Sequence, residues 1–196
     1  MCTRLMRKLL LVATLLLQST QSSGVQNVGG MIIDYGPTFE AKDEKAQAWQ
    51  AKMSDELRSL IQRFEIFEAA PSRGLSELRL VKARYVAKTF GTIDAAASET
   101  VRNIVGLPGI KNAVQTTTTL LVSGLDARRV SFESDRNDGK LGAEFLIVHD
   151  KKTNTAFQLQ IIFSKRQGWN PLGSIDLGVE RAAANAILNS VTMSRL

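Results

Sequence analysis

The side chains that carry most enzyme chemistry are scarce in this 196-residue sequence. It has one histidine, His149, and one cysteine, Cys2. It contains no G-x-S-x-G nucleophile motif and neither of the glycine-rich motifs that bind phosphates, G-x-x-x-x-G-K-[ST] and G-x-G-x-x-G. His149 continues the alternation of inward-facing side chains in the strand before it, and it is interpreted as a half-buried histidine at the end of that strand. The sequence therefore predicts no catalytic residue, no cofactor and no metal site.

Acidic residues offer a second kind of chemistry. Asp135, Asp138 and Glu144 could supply a pair of carboxylates, and so could Asp126 and Glu133. They lie near hairpin turns, where Asp is expected for conformational reasons, and the ligand positions of a calcium loop are not filled. The alternative hypothesis they allow is an enzyme built on carboxylates and arginines that acts on an anionic substrate. It requires a concave pocket that gathers Arg128, Arg129, Glu133 and Glu144.

Basic residues suggest a binding surface. Lys82 and Arg84 share one face of a predicted strand, and Arg128 and Arg129 begin another. If the two strands are neighbours, these four residues form a positive patch for an acidic protein partner or an anionic ligand. The simpler interpretation is that they only solvate an exposed edge. Gln158 and Gln160, together with Trp169, suggest a groove, although such glutamines more often pair across a solvated sheet.

The charge balance argues against nucleic acid as a partner. The formal net charge is +6, and the first 22 residues contain three basic residues and no acidic one. The remaining chain would carry +3, which is too mild for nucleic-acid binding.

The N-terminus has the layout of a secretory signal peptide over residues 1–22. Arg4, Arg7 and Lys8 precede an apolar run, LLLVATLLL, and the polar stretch QSTQSS follows. We predict export to the periplasm or the medium, with cleavage after Ser22 and membrane contact only before cleavage; Met6 is an alternative start. A permanent anchor is the weaker interpretation, because the run is shorter than the roughly 20 residues that span a bilayer.

Periodicity predicts the elements that position these residues. Apolar residues at spacings of three and four predict a helix over 42–64, with Trp49 and Ile61 on its buried stripe. Further helices are predicted over 93–105, capped by Thr92 or Asp94, and over 176–190. Strands are predicted over 77–88, 114–123, 128–134, 143–149 and 156–164. Residues 23–39 are predicted to be a flexible arm that supplies at most one short strand. Residues 40–196 are predicted to be a single α+β domain, with an antiparallel sheet of five to six strands covered by helices.

One stretch resembles a known family. It begins with the turn and strand GLDARRVSF (124–132), continues through the strand pair 143–164, and ends in a helix finishing ILNSV (187–191). This order is similar to the PsbP-like superfamily, which includes PsbP, Mog-type and DcrB-like proteins. The resemblance implies an α/β/α sandwich that binds or supports other proteins and has no chemistry of its own.

Together, these observations predict an exported, non-catalytic bacterial protein with a binding or accessory role. The carboxylate- and arginine-based enzyme remains the alternative.

Overall fold

The computed structural model describes residues 24–36, 39–42, 51, 53–71, 77–86, 88–137, 139–166 and 177–194. Within them lie ten strands and three helices. The strands are β1 (Val25–Val28), β2 (Met31–Asp34), β3 (Phe39–Ala41), β4 (Ile61–Pro71), β5 (Glu77–Tyr85), β6 (Ile110–Val122), β7 (Leu125–Arg136), β8 (Gly139–Asp150), β9 (Thr155–Arg166) and β10 (Thr192–Met193). The helices are α1 (Asp55–Leu60), α2 (Ile93–Val105) and α3 (Leu177–Asn189).

Two antiparallel sheets organise the fold. The larger has seven strands in the order β3-β4-β5-β9-β8-β7-β6, and the smaller has three in the order β1-β2-β10. Strands β6 to β9 follow one another along the chain and pair as successive hairpins, which confirms the antiparallel arrangement predicted from their alternation and turns. The prediction of five to six strands is wrong.

Both faces of the larger sheet carry a hydrophobic core. In β8, Phe145 belongs to the core on one face and its neighbour Leu146 to the core on the other. The first core contains four α2 residues, Ile93, Ala97, Val101 and Ile104. The second contains the α3 residues Ala184, Ile187 and Leu188, and side chains of the small sheet such as Met31 and Ile33. Helices thus pack on both faces, and the fold class is α+β as predicted.

Helix α2 begins and ends where its sequence predicts. The Thr92 hydroxyl oxygen accepts a hydrogen bond from the backbone N–H of Ala95 (3.1 Å), so the first turn is capped. Gly106 follows the last helical residue and donates its N–H to the carbonyl of Arg102 (2.9 Å).

The helix predicted over 42–64 is wrong in its last part. Ile61 begins β4, which pairs with β5 over most of its length, and only α1 is helical between Asp55 and that strand. Phe67 and Ala69 are buried on one face of β4, while Phe64 and Ile66 are half-buried on the other. Apolar residues on both faces of a strand mimic the three-and-four spacing of a helix, which explains the error. Trp49 lies outside the described residues.

The segment predicted as a flexible arm contributes two strands to the core. Strands β1 and β2 form a hairpin, in which Met31 and Ile33 are fully buried. Strand β10, at the other end of the chain, pairs with β2. The hydroxyl of Ser190 accepts a hydrogen bond from the Asp34 N–H (2.9 Å), which fixes the same junction. One apolar patch in the sequence was too little to predict this hairpin, because its partner strand is supplied by the distant C-terminus.

Candidate functional site

The four basic residues predicted to share a patch are not brought together. Lys82 and Arg84 lie on β5 and the other two on β7, and strands β9 and β8 separate them. The Lys82 side chain is only 13% exposed. Its Nζ lies 3.7 Å from a Glu65 carboxylate oxygen and 5.8 Å from the centre of the Phe157 ring. Of the pair on β5, only Arg84 is exposed.

Arg128 and Arg129 point to opposite faces of the sheet. Arg128 binds Asp94 of α2 through two hydrogen bonds, Nε to Oδ1 (2.6 Å) and Nη2 to Oδ2 (3.1 Å). Arg129 reaches α3, where it donates to the side-chain oxygens of Asn185 and Asn189. Hydrogen bonding to Arg128 lowers the pKa of Asp94. The contribution of this pair to stability is therefore present at neutral pH and is lost as the pH falls through that lowered pKa.

Beneath α3 lies a cluster of five polar residues, here called the Glu144 cluster: Arg129, Ser131, Glu133, Glu144 and Arg181. Glu144 is completely buried, and its carboxylate accepts from the Ser131 hydroxyl (2.7 and 2.6 Å). The Arg181 Nε lies 3.2 Å from one carboxylate oxygen, an ion pair without hydrogen-bond alignment, and the Arg129 Nε lies 3.6 Å from the other. Arg181 also contacts Glu133 at 3.1 Å.

This cluster gathers three of the four residues required by the enzyme hypothesis; Arg128 lies on the other face. Both oxygens of Glu144 are engaged by groups of the chain itself, so the arrangement ties α3 to the sheet and leaves that carboxylate no free position for a substrate. Arg181, Asn185 and Asn189 were not predicted from the sequence. Their spacing of four residues along one helix was the available signal. Among the described residues, no three His, Cys, Asp or Glu side chains are placed to hold a metal ion.

A groove of about 480 Å³ lies between α2 and the sheet, on the face where β5 and β9 extend beyond the helix. Its floor is formed by alternate side chains of these strands, and its wall by α2. Among its lining residues are Val81, Tyr85, Ala96, Glu99, Gln158 and Gln160. This is the α2 groove. Both glutamines of the groove hypothesis line it, and Trp169 lies outside the described residues.

Tyr85 and His149 lie at one end of the α2 groove, on either side of Phe90. The rings of Tyr85 and Phe90 are 5.2 Å apart, and those of Phe90 and His149 are 4.3 Å apart. Burial raises the pKa of the Tyr85 hydroxyl, so it is protonated at neutral pH and able to donate a hydrogen bond. His149 is buried at the end of β8, and its Nε2 lies 3.4 Å from the Asn154 side-chain oxygen. The predicted position of His149 at a strand end is confirmed, but the side chain is buried and not half-buried as predicted.

A second cavity, of about 680 Å³, opens on the other face, at the end of the sheet where β8 turns into β9. Its lining mixes Phe157 and Leu125 with Asp150 and Lys152. None of the three described helices is long and apolar enough to cross a membrane.

Comparison with known proteins shows no family for this chain. The sequence matches no protein-family model and no curated protein. Among solved structures it is similar to PA94, a Pseudomonas aeruginosa protein of unknown function, at 14% identity over 69% of this chain and 85% of that one. The TM-score is 0.44, so the similarity supports no conclusion about fold or function.

Proposed function

We propose that this protein is an exported, non-catalytic binding or accessory protein of the bacterial periplasm or the medium, and that the α2 groove is its ligand site. The groove is the observation that carries the proposal. Its volume of about 480 Å³ falls in the range of small-molecule sites, and a few polar groups converge on an otherwise apolar lining.

The lining favours an uncharged ligand with an apolar body and a hydrogen-bonding group, because the one charged residue of its described lining, Glu99, is paired with Arg102. Val81 and Ala96 offer apolar contact, while the Tyr85 hydroxyl and the amides of Gln158 and Gln160 offer donors and acceptors. The acidic partner predicted from the sequence has less support, since Lys82, Arg128 and Arg129 already bind acidic or amide groups of the chain itself.

The enzyme alternative also has less support. It rests on the Glu144 cluster, in which the buried carboxylate is held by Ser131 and two arginines. A general base or nucleophile must reach its substrate. Glu144 is completely covered, so a role in holding α3 to the sheet accounts better for the geometry.

The proposal also includes a more specific fold than α+β. We propose that the chain has the PsbP-like α/β/α arrangement, on the support of α2 and α3 packing against opposite faces of the large sheet. This arrangement would expose the α2 groove at the side of the sandwich.

Filling the groove should abolish ligand binding. We expect the uncharged fluorophore N-phenyl-1-naphthylamine to bind the protein saturably, with increased fluorescence. Ala96→Phe, which places a ring in the groove, should weaken that binding by about tenfold or more, equivalent to ~1.4 kcal/mol. Ala95→Phe is the matched control, because Ala95 is exposed on the neighbouring position of α2 and does not line the groove. Equal affinities for the two variants would show that the fluorophore binds elsewhere.

Export should be visible at the N-terminus of the protein from its native host. Strand β1 begins at Val25, so removal of residues 1–22 leaves every described element intact. We expect N-terminal sequencing to begin within a few residues of Ser23. An intact Met1 or Met6 on a membrane-bound form would contradict cleavage and support a permanent anchor.

A further inference from the structure

Strand β6 forms one edge of the seven-stranded sheet. It is 13 residues long, and β7 is its only partner strand among the described residues. Its register with β7 is unbroken from Val114 to Val122. All the side chains from Lys111 to Thr119 are exposed, and no described strand pairs with the outer edge of β6.

The regular part of β6, from Val114 to Val122, lacks the devices that usually protect an edge; Lys111 and a bulge between Lys111 and Val114 lie only at the beginning of the strand. Proteins blunt edge strands by keeping them short or by placing lysine or proline on them. Between Lys111 and Asp126 there is no charged residue and no proline, and four consecutive threonines occupy the middle. Val114 and Leu121 are each 68% exposed. The opposite edge, β3, has only three residues and includes Glu40.

We propose that two copies of this chain pair through β6, antiparallel, about a two-fold axis at Thr118. Thr118 is the midpoint of the regular stretch from Val114 to Val122, so this register uses the whole stretch. When an edge strand pairs with a copy of itself in the antiparallel direction, two directly opposed residues must both have even numbers or both have odd numbers. The reason is that only alternate residues turn their backbone N–H and C=O groups outward. An axis at Thr118 meets this condition.

The occupant is a second copy because β6 is complementary to itself in this register. Thr118 lies opposite Thr118 and Thr117 opposite Thr119, which are favourable cross-strand pairs. Val114 lies opposite Val122, and Leu121 opposite Gln115, so both exposed apolar side chains gain a neighbour. The antiparallel direction places the two Lys111 side chains at opposite ends of the paired stretch, so no like charges are opposed. The two sheets then become one closed, symmetric assembly.

Charge substitutions at the axis test the proposal. Sedimentation equilibrium of the purified protein should show a dimer. Thr118→Lys and Thr118→Glu should each weaken dimerisation by at least about tenfold, since each opposes two like charges. An equimolar mixture of the two variants should restore the dimer. Val179→Lys, at a 65%-exposed position on α3, is the control and should leave the dimer unchanged.

Circular dichroism of each variant, matched to that of the parent protein, would verify folding, because an exposed edge position tolerates either charge. A monomeric parent protein at every concentration up to its solubility limit would overturn the proposal. So would a dimer that survives both Thr118 substitutions, since its interface would then lie elsewhere. A monomer that binds an extended apolar peptide at β6 would assign the edge to a different partner and would also overturn it.

Discussion

Replacing Glu144 by alanine is expected to lower the free energy of unfolding by about 3 kcal/mol. Removing one partner of a buried ion pair costs roughly 3–5 kcal/mol, because the remaining charge is left without compensation. The lower end applies here, since Arg129 and Arg181 are 24% and 31% exposed and retain some contact with water. Urea unfolding followed by circular dichroism measures the change.

The matched control is Glu99→Ala, which removes an exposed ion pair to Arg102 on α2. Such a pair is worth only about 0.3–0.5 kcal/mol. Glu144→Gln keeps the shape and the acceptor oxygen and should fall between the two. If Glu144→Ala were no more destabilising than Glu99→Ala, the Glu144 cluster would not hold α3 to the sheet.

Replacing Gly142 by alanine should cost about 2–3 kcal/mol. A methyl group at Gly142 would overlap the ring of Phe163, which lies directly opposite on β9 and is 1% exposed. Overpacking of a filled core costs roughly 1–3 kcal/mol, and a buried ring between sheet and core has little room to move. The loss should show as a lower urea midpoint with an unchanged slope.

Because the cost arises from one contact, it should not be additive. In a Phe163→Leu background, Gly142→Ala should be milder by about 1 kcal/mol, as expected for residues that touch. Gly106→Ala is the control, because Gly106 has a φ of −72° that alanine adopts, and the nearest atom to the new methyl group is the Arg102 carbonyl oxygen at 3.3 Å, so the cost should be much smaller, about 0.5 kcal/mol. Full additivity would show that the Phe163 ring is not the obstacle.

Elements with strong local signals were predictable. The hairpins from β6 to β9 combine alternating side chains with turn residues, and Asn137 and Gly139 mark one such turn. Helix α2 carries both a cap and a regular apolar face, so its bounds were predicted at 93–105 and found there. In these elements the local signals agree with the tertiary packing that stabilises them, so the sequence was sufficient to predict them.

Strand β4 and the hairpin of β1 and β2 were not predictable in the same way. Ile61 and Phe64 fit a helical stripe, and only pairing with β5 makes this segment a strand. Met31 and Ile33 are buried in a core that includes α3 residues, and their strand pairs with β10; α3 and β10 lie far along the chain. Non-local contacts override local propensity here.

The residues of the candidate site also divide into those whose placement was predictable from the sequence and those whose placement was not. Arg128 and Arg129 are consecutive on a strand, and the alternation of side chains alone places them on opposite faces. The separation of Arg128 from Arg129 was therefore predictable from the sequence, and it divides the predicted basic patch. The partnership of Glu144 with Arg181 was not available, because it depends on how α3 lies across the sheet.

The junction of β2 with β10 also sets the order in which the chain can fold. Asp34 and Ser190 are 156 positions apart, so their contact, like the neighbouring pairing of β10 with β2, forms only after all the intervening residues have been synthesised. Until then Met31 and Ile33 are not fully buried, and the hairpin of β1 and β2 is only marginally stable. In a chain that is still being synthesised, the small sheet would therefore stay incomplete until β10 has been made.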